Sequence, residues 1–593
     1  MCNRRYQILT GLIAFVLLIL FIFGESVNEI APRPITNFPR PKIPSLPSPA
    51  SIFGPPRHKE PVQANSTHGD SSWFSDFRWK NPFSSTITLE ENRALLPPLR
   101  NRPEIYTYYE PSKRKDKKVS AAEEKLLLAW RRAWWAQGFK PKVLGRPEAM
   151  DNPLYLRLQQ LNVTTELEFD LARLLAWGSI DSGILTNWLT LPMGPYDDHV
   201  LSFLRRGQYP RFARFDGLDG GIFYGEKNAV NNVIKNVLEK PEIEFPETKS
   251  IIQILDDETL AVEKKPKSIA YYSMQTIQEK YKAVADKLVM EDSSVGLGLL
   301  ADLINSHLQI AWQNTFSDGI AVLKPFEEHI AILTFPALSL AHNLTHCSSS
   351  PIPDSCPPNI PKCKLCDPAH SLPINVTPQL KNVSAVYNIG VVPHPYTTTT
   401  LARNQELITT RFIRELGMLE RDAWIDAITK DLLGSSTGAP ALVRFKEAVA
   451  SDYGASHSTW LTAERESHAD LDWLFGFAIP GSPPRYPTHE EGLVIPEDAR
   501  DAIRLGLDAA LDETALNHER ALLYQARQVM KSEKPEIVRV REAVEAWNLA
   551  DTEVWRFARA WSARRRVERL KWEEEERNFA GAEERGGRWG WFV

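Results

Sequence analysis

A surplus of charge of one sign is missing from this chain. Lysine and arginine total 70 against 75 aspartates and glutamates, a net charge of -5 over 593 residues. That balance argues against a nucleic-acid-binding surface. No repeat with a period of roughly 20 to 50 residues runs through the sequence, so a solenoid is excluded. H-E-x-x-H and the Walker lysine motif are absent, which removes the usual marks of a zinc peptidase and a P-loop protein. GLGLLAD at Gly296 fits G-x-G-x-x-A by letter, but no strand pattern precedes it and it runs into a helix. It therefore carries no dinucleotide signal. Cysteine is scarce, at five residues.

What is present begins with one unbroken apolar run, Ile8 to Phe23, preceded by Arg4 and Arg5. The positive-inside rule keeps those arginines cytosolic and sends the body across the membrane, the layout of a single-pass type II protein. The run is shorter than the ~20 residues of a typical span, which suits a thin early-secretory bilayer and points to the Golgi or endoplasmic reticulum membrane. A cleaved signal peptide ending near Gly24 is the competing reading, and Ile22 and Phe23 make a poor small-residue cleavage site. The expected order is a cytosolic tail at 1–7, an anchor at 8–23 and a proline-rich stem at 24–118. A lumenal α/β domain at 119–400 and a helical region at 401–593 follow. Fifteen of the 43 prolines fall between Glu25 and Lys118, a density that favours extended, solvated chain. The cluster Trp73, Phe74, Phe77 and Trp79 is better suited to docking on the body, and the basic run Lys113 to Lys118 reads as solvated linker.

Two features agree with a lumenal body. Sequons begin at Asn65, Asn162, Asn343, Asn375 and Asn382, all beyond the anchor, and Pro378 makes the Asn375 site the poorest acceptor. Cys347, Cys356, Cys363 and Cys366 lie within twenty residues of a proline-rich loop, inside the wider segment 343–384. Two disulfides stapling this loop are favoured over a four-thiolate zinc site, because only Cys363 and Cys366 have the C-x2-C spacing. Three pairings remain open. Cys2, ahead of the anchor, is a candidate for palmitoylation.

The body opens with a helix signal. Ser120 to Glu123 reads as a capping box, and Leu126, Leu127, Trp130, Ala133 and Trp134 recur at helical spacing up to Gly138. Phe139 to Leu144 reads as a strand, and Glu166 to Trp177 as a helix with Leu167, Leu171, Leu174 and Leu175 on one face. The apolar segment SGILTNWLTLPM follows. IIQIL, SIAYY and HIAILTF read as strands around a helical stretch from Thr276 to Trp312, and VYNIGVV as a last strand. His394 sits in a rigid turn after it. From Arg411 the pattern turns helical, and the charges at Arg564–Arg566 and Glu573–Glu576 read as a solvated face. The fold class expected is α/β, a mixed sheet layered with helices, with a mostly α-helical C-terminal region.

The segments EEKLLLAWRRAWWAQGFKPKVLG and DLARLLAWGSIDSGILTNWLTLPM resemble the core of GT-A glycosyltransferases of the family that includes fungal α-1,6-mannosyltransferases and capsular sugar transferases. The resemblance covers about a hundred residues. It implies transfer of a hexose from a sugar nucleotide to a glycan, glycoprotein or glycolipid of the secretory pathway or cell wall. It also implies Mn²⁺ or Mg²⁺ held by an Asp-x-Asp at a strand end, and Arg173, Gly178 and the strand match that family. The acid pair does not: Ile184, Leu185, Thr186 and Asn187 stand there, with Asp181 just before. A divalent ion wants carboxylate oxygens, so the candidates become Asp181, Asp197 and Asp198 for catalysis, the last two also for metal. Asp216 and Asp219 in a glycine-rich loop join Arg173 as substrate-binding candidates. Asp256, Asp257 and Glu258 are a third acidic group. Turn and cap chemistry is the plainer explanation of each group. Two other classes compete: a lumenal scaffold that kept the fold and lost the site, and a hydrolase using Ser456 and His457.

Overall fold

The computed structural model describes residues 96, 97, 100–111, 116–180, 183–256, 259–289, 293–326, 330–403, 408–415, 421–433, 439–464, 470–481 and 513–579. The chain divides into two units at Gln63, and every described residue belongs to the second. The 8–23 anchor, most of the stem with Asn65 and the Trp73–Trp79 cluster, and Asp181, Asp257 and Glu258 lie outside the described residues. Among the described residues, no helix is long and apolar enough to cross a membrane.

The first sheet draws on strands β1 (Glu104–Tyr108), β2 (Lys140–Leu144), β3 (Gly183–Thr186), β5 (Ala213–Phe215), β6 (Ile222–Gly225) and β7 (Ala261–Glu263), with β4 (Thr190–Pro192) and β8 (Ile269–Tyr271) forming a separate antiparallel pair. Its order is β2-β1-β3-β6-β5-β7, and only β6 runs against the others. β1 is thus a central strand inside the segment expected to be stem. EIYTY has the period-two alternation that explains it: Ile105 faces one core and Tyr106 the other, both fully buried.

Helix α1 (Lys117–Ala136) lies on the first of these faces and α2 (Thr165–Ser179) on the second. Leu167, Leu171, Leu174 and Leu175 are fully buried, each worth about 1.5–3 kcal/mol when removed from water. α3 (His199–Arg205) and α4 (Lys227–Glu239) complete this half. The α1 cap differs from expectation. Asp116, inside the basic run, accepts the Lys118 N–H and starts the helix one turn before Ser120, while Glu123 accepts the Tyr109 hydroxyl at 2.8 Å. Gly138 ends α1 in the left-handed region, at φ +86°, which glycine adopts without penalty.

Two expected strands are not strands. IIQIL forms a 3-10 turn at Ile251–Gln253, because Asp170 accepts the Ser250 hydroxyl and the Ile251 N–H there. HIAILTF opens a helix instead. After α5 (Ser293–Thr315) comes α6 (Ala331–Thr345), whose first amides are capped by the Glu519 carboxylate at 3.0 and 3.2 Å. A continuous apolar run has no period to separate strand from buried helix, and a partner nearly 190 residues away decided it.

The second sheet is all parallel: β9 (Gly319–Leu323), β10 (Ile374–Thr377), β11 (Val386–Val392) and β12 (Ser458–Thr462), ordered β10-β9-β11-β12. β12 lies in the region expected to be helical and follows β11, expected to be the last strand. The helices around it are α7 (Ala423–Leu433), α8 (Ala439–Ala450), α9 (Asp452–His457) and α10 (Leu471–Phe475), then α11 (Glu513–Lys531), α12 (Pro535–Trp547) and α13 (Leu549–Glu576). α7 and α13 cap one another. Asp551 accepts the Trp424 and Ile425 N–H groups, and Asp422 accepts those of Ala550 and Asp551. His394 is fully buried, bonded to Glu545 at 2.9 Å while its Nδ1 accepts the Tyr396 N–H.

α13 joins the two sheets. At 28 residues it is about 42 Å long. Val554, Trp555 and Phe557 pack beside Trp460 of β12. Toward its far end, the Trp572 indole donates to the Pro141 carbonyl of β2 and Glu576 pairs with buried Arg131 at 2.6 Å. Glu573–Glu576 is therefore not a solvated face. Glu573 and Glu575 bind Arg569 and Lys140, and Glu576 is core.

Candidate functional site

Because only β6 is reversed, the carboxyl edge of the first sheet gathers Tyr109 after β1, Asn187 after β3 and Asp216 after β5, together with Asp219 before β6. This is the edge where open α/β sheets bind ligands. Its strand-end position is committed to structure. The Thr186 hydroxyl accepts from Trp130 at 3.1 Å and donates to the Tyr106 carbonyl. Asn187 gives its N–H to Gly221, and its side-chain oxygen accepts the Leu189 N–H at 2.9 Å. Trp188 packs edge-on against Tyr109, ring centres 5.9 Å apart.

Among the described residues, the candidate acids fall in separate places. Asp198 is the N-cap of α3, accepting the Val200 and Leu201 N–H groups, and Asp197 is exposed beside it. Both follow β4, away from the strand ends of the first sheet. Asp216 and Asp219 share the carboxyl edge but are exposed, and Asp219 has φ +44°. Arg173 ties the loop down, pairing with Asp170 at 2.9 Å and donating to the Gly220 carbonyl at 2.7 Å. Asp256 holds a turn. The Thr259 hydroxyl and then Lys240 pull its carboxyl below the usual range. Among the described residues, no group of three or more His, Cys, Asp or Glu is placed to hold a metal ion. Threonine and asparagine at the strand end, both engaged, do not fit a divalent cation there.

The large concavity lies at the opposite edge. A cavity of about 990 Å³ opens where the amino ends of both sheets meet. Arg102 leads into β1 and Gly138 into β2, Phe316 precedes β9, Tyr387 opens β11 and His457 immediately precedes β12. Its volume falls within the range of small-molecule sites, about 300–1,000 Å³. Part of the lining is aromatic: Trp312 contacts Phe316, Tyr387 and Phe475 at ring-centre distances of 5.0, 5.2 and 5.6 Å. Burial pushes the Tyr387 phenol up to about 12. The sequence held these rings, but nothing in their spacing brings Trp312, Tyr387 and Phe475 together before the sheet is built.

The lining is also cationic. Arg102 donates to Glu568 at 2.9 Å and to the Trp135 carbonyl at 2.8 Å, with its guanidinium 4.1 Å from the Trp135 ring centre. Arg205 stacks on Tyr196 at 3.9 Å and donates to the Gln137 carbonyl. Burial lowers its pKa. Arg565 of α13 also faces the cavity, and burial followed by the field of Arg102 lowers its pKa. Arg564–Arg566 is therefore not a uniformly solvated run.

Ser456 and His457 line the same cavity. Ser451 caps α9, and Gly454 lets that helix close on α8, since a Cβ there would lie 2.2 Å from the Glu447 carbonyl oxygen. The Ser456 Oγ is 2.8 Å from His457 Nδ1, but Nδ1 is also 2.9 Å from the Tyr453 carbonyl. A carbonyl only accepts, so the nitrogen facing the serine carries the proton and is no base for it.

The four loop cysteines pair in nested fashion, Cys347 with Cys366 and Cys356 with Cys363. The loop docks on the body, where Tyr281 donates to the Cys356 carbonyl and Ser355 bonds His307. Asn162, Asn375 and Asn382 are exposed, whereas Asn343 is half-buried in α6.

Residues 67–592 match the family described as Domain of unknown function (DUF8765), and the chain belongs to that family. No curated protein and no solved structure matches it.

Proposed function

We propose that this DUF8765 protein binds a sugar nucleotide in the cavity between its sheets and transfers the hexose to a secretory-pathway or cell-wall glycan. The body would stand in the lumen behind a type II anchor in the Golgi or endoplasmic reticulum membrane. The observation that carries the reading is the cavity itself: about 990 Å³, lined by both aromatic rings and guanidiniums. Rings offer stacking faces to a base or a sugar. Guanidiniums match phosphate oxygens and can offset the charge that develops on a departing diphosphate, the task otherwise given to a metal ion. The strand-end residues Thr186 and Asn187 do not suit that ion, so the reading assigns it no step.

A specific observation favours the second reading, a non-catalytic lumenal binding protein. The cavity-lining carboxylates are engaged: Glu568 with Arg102, Asp452 with Arg100, and Glu447 with Arg444. A paired carboxylate is a weak base for an acceptor hydroxyl. Titration of detergent-solubilised full-length protein with UDP- and GDP-sugars, with and without EDTA, tests the binding claim. EDTA-insensitive binding supports it, and the absence of binding to every sugar nucleotide overturns it. Release of nucleoside diphosphate on adding glycan acceptors then separates transferase from binding protein.

A further inference from the structure

We infer that Arg565 and Trp561, one turn apart on α13, form a phosphoryl-binding subsite at the wall between two cavities. The inference rests on the sugar-nucleotide reading for the rest of the ligand. A second cavity of about 180 Å³ adjoins the large one, and Leu474, Trp561 and Arg565 line both. The two α13 side chains therefore stand at the junction, where a ligand would pass from one space into the other.

Both residues hold unused donors. Arg565 makes no hydrogen bond or ion pair among the described residues, unlike its neighbours. Arg102 is spent on Glu568 and Trp135, Arg566 and Arg569 share Asp470, and Arg569 also binds Glu573. The Trp561 indole N–H is buried with no acceptor. An orphaned buried donor is uncommon in a native fold and calls for an explanation. The charges that reach Arg565 come from Arg102, Tyr387, Glu568 and Asp470. Glu568 already answers Arg102 and Asp470 answers Arg566 and Arg569, so one positive charge is left over at the junction. A phosphoryl group would supply acceptor oxygens for both donors and the negative charge that is missing. A neutral sugar would supply no charge, and a second cation would be repelled.

Detergent-solubilised full-length protein, wild type and the variants Arg565→Gln, Arg565→Lys and Trp561→Phe, is titrated with inorganic pyrophosphate, UDP and GDP. Losing one charge-assisted bond weakens binding by at least about tenfold, so Arg565→Gln is expected to lose affinity by that factor or more. Arg565→Lys keeps the charge and is expected to recover part of it. Trp561→Phe removes the N–H and keeps the ring, for a loss of about threefold to tenfold. Unchanged thermal midpoints keep unfolding out of the comparison. If wild type binds UDP or GDP and Arg565→Gln binds them equally well, the subsite is overturned and the sugar-nucleotide reading stands. If pyrophosphate binds in an Arg565-dependent way and no nucleotide does, the subsite stands and the nucleotide reading fails. If neither binds, both fall.

Discussion

The two edges of the first sheet carry charge in opposite ways. At the carboxyl edge, Asp216 and Asp219 are exposed and the strand-end position is filled by Thr186 and Asn187, both engaged in backbone bonds. At the amino edge, guanidiniums and rings surround a cavity, and α13, which supplies Arg565 and Glu568 to its lining, is fixed further along by the buried pair of Glu576 with Arg131. Exposed charges interact weakly through water, while half-buried ones interact strongly and cost more when left alone. On the proposed reading, a sheet of this class need not keep its binding chemistry on the edge its topology favours.

Removing charge from each edge in turn would break or sharpen this contrast. The largest effect is expected at the buried pair that fixes α13, where Glu576→Ala removes the carboxylate that binds Arg131. A loss of about 3–5 kcal/mol is expected, read from the urea midpoint of unfolding.

A pH-dependent effect comes next, in the α7–α13 caps. Burial raises Asp551 to about 7, and burial likewise raises Glu519, the cap of α6, to about 7. A carboxyl held more tightly protonated in the folded state contributes stability that is full below its unfolded pKa of about 4 and is lost as pH rises through about 7. The wild-type thermal midpoint should therefore rise between pH 8 and pH 5.5, and the rise should be smaller in Asp551→Asn. An equal rise in both proteins would contradict the assignment.

Asp198→Ala removes an N-cap from α3 and should cost about 1 kcal/mol in chemical denaturation, with nucleotide affinity unchanged. Smallest of all, Asp216→Asn and Asp219→Asn should change stability by less than about 0.5 kcal/mol. They should leave affinity as it is. A large loss of affinity in either would return the site to the carboxyl edge.

Much of the fold was legible because period and punctuation agree. The face of α2, the Gly138 stop and the strand ending at Leu144 follow from local pattern alone. β1 was hidden by the proline-rich composition around it, although EIYTY alternates cleanly. α6 was hidden because its cap, Glu519, is far along the chain, and β12 because short strands amid helices leave little periodic signal. The site was less legible. Acids draw the eye in a sequence, yet Asp198 and Asp256 are doing cap and turn work. The residues that make the cavity, Trp312, Tyr387, Phe475 and Arg565, come from four separate segments and read singly as core or solvated face.

Photocrosslinking of the full-length protein with an azido-uridine diphosphate sugar, followed by peptide mapping, tests the location most directly. Labelling within 308–316, 385–388 or 561–568, reduced by unlabelled UDP-sugar, is the result expected. Competed labelling confined to 186–190 and 216–221 would contradict the account and place the ligand at the carboxyl edge.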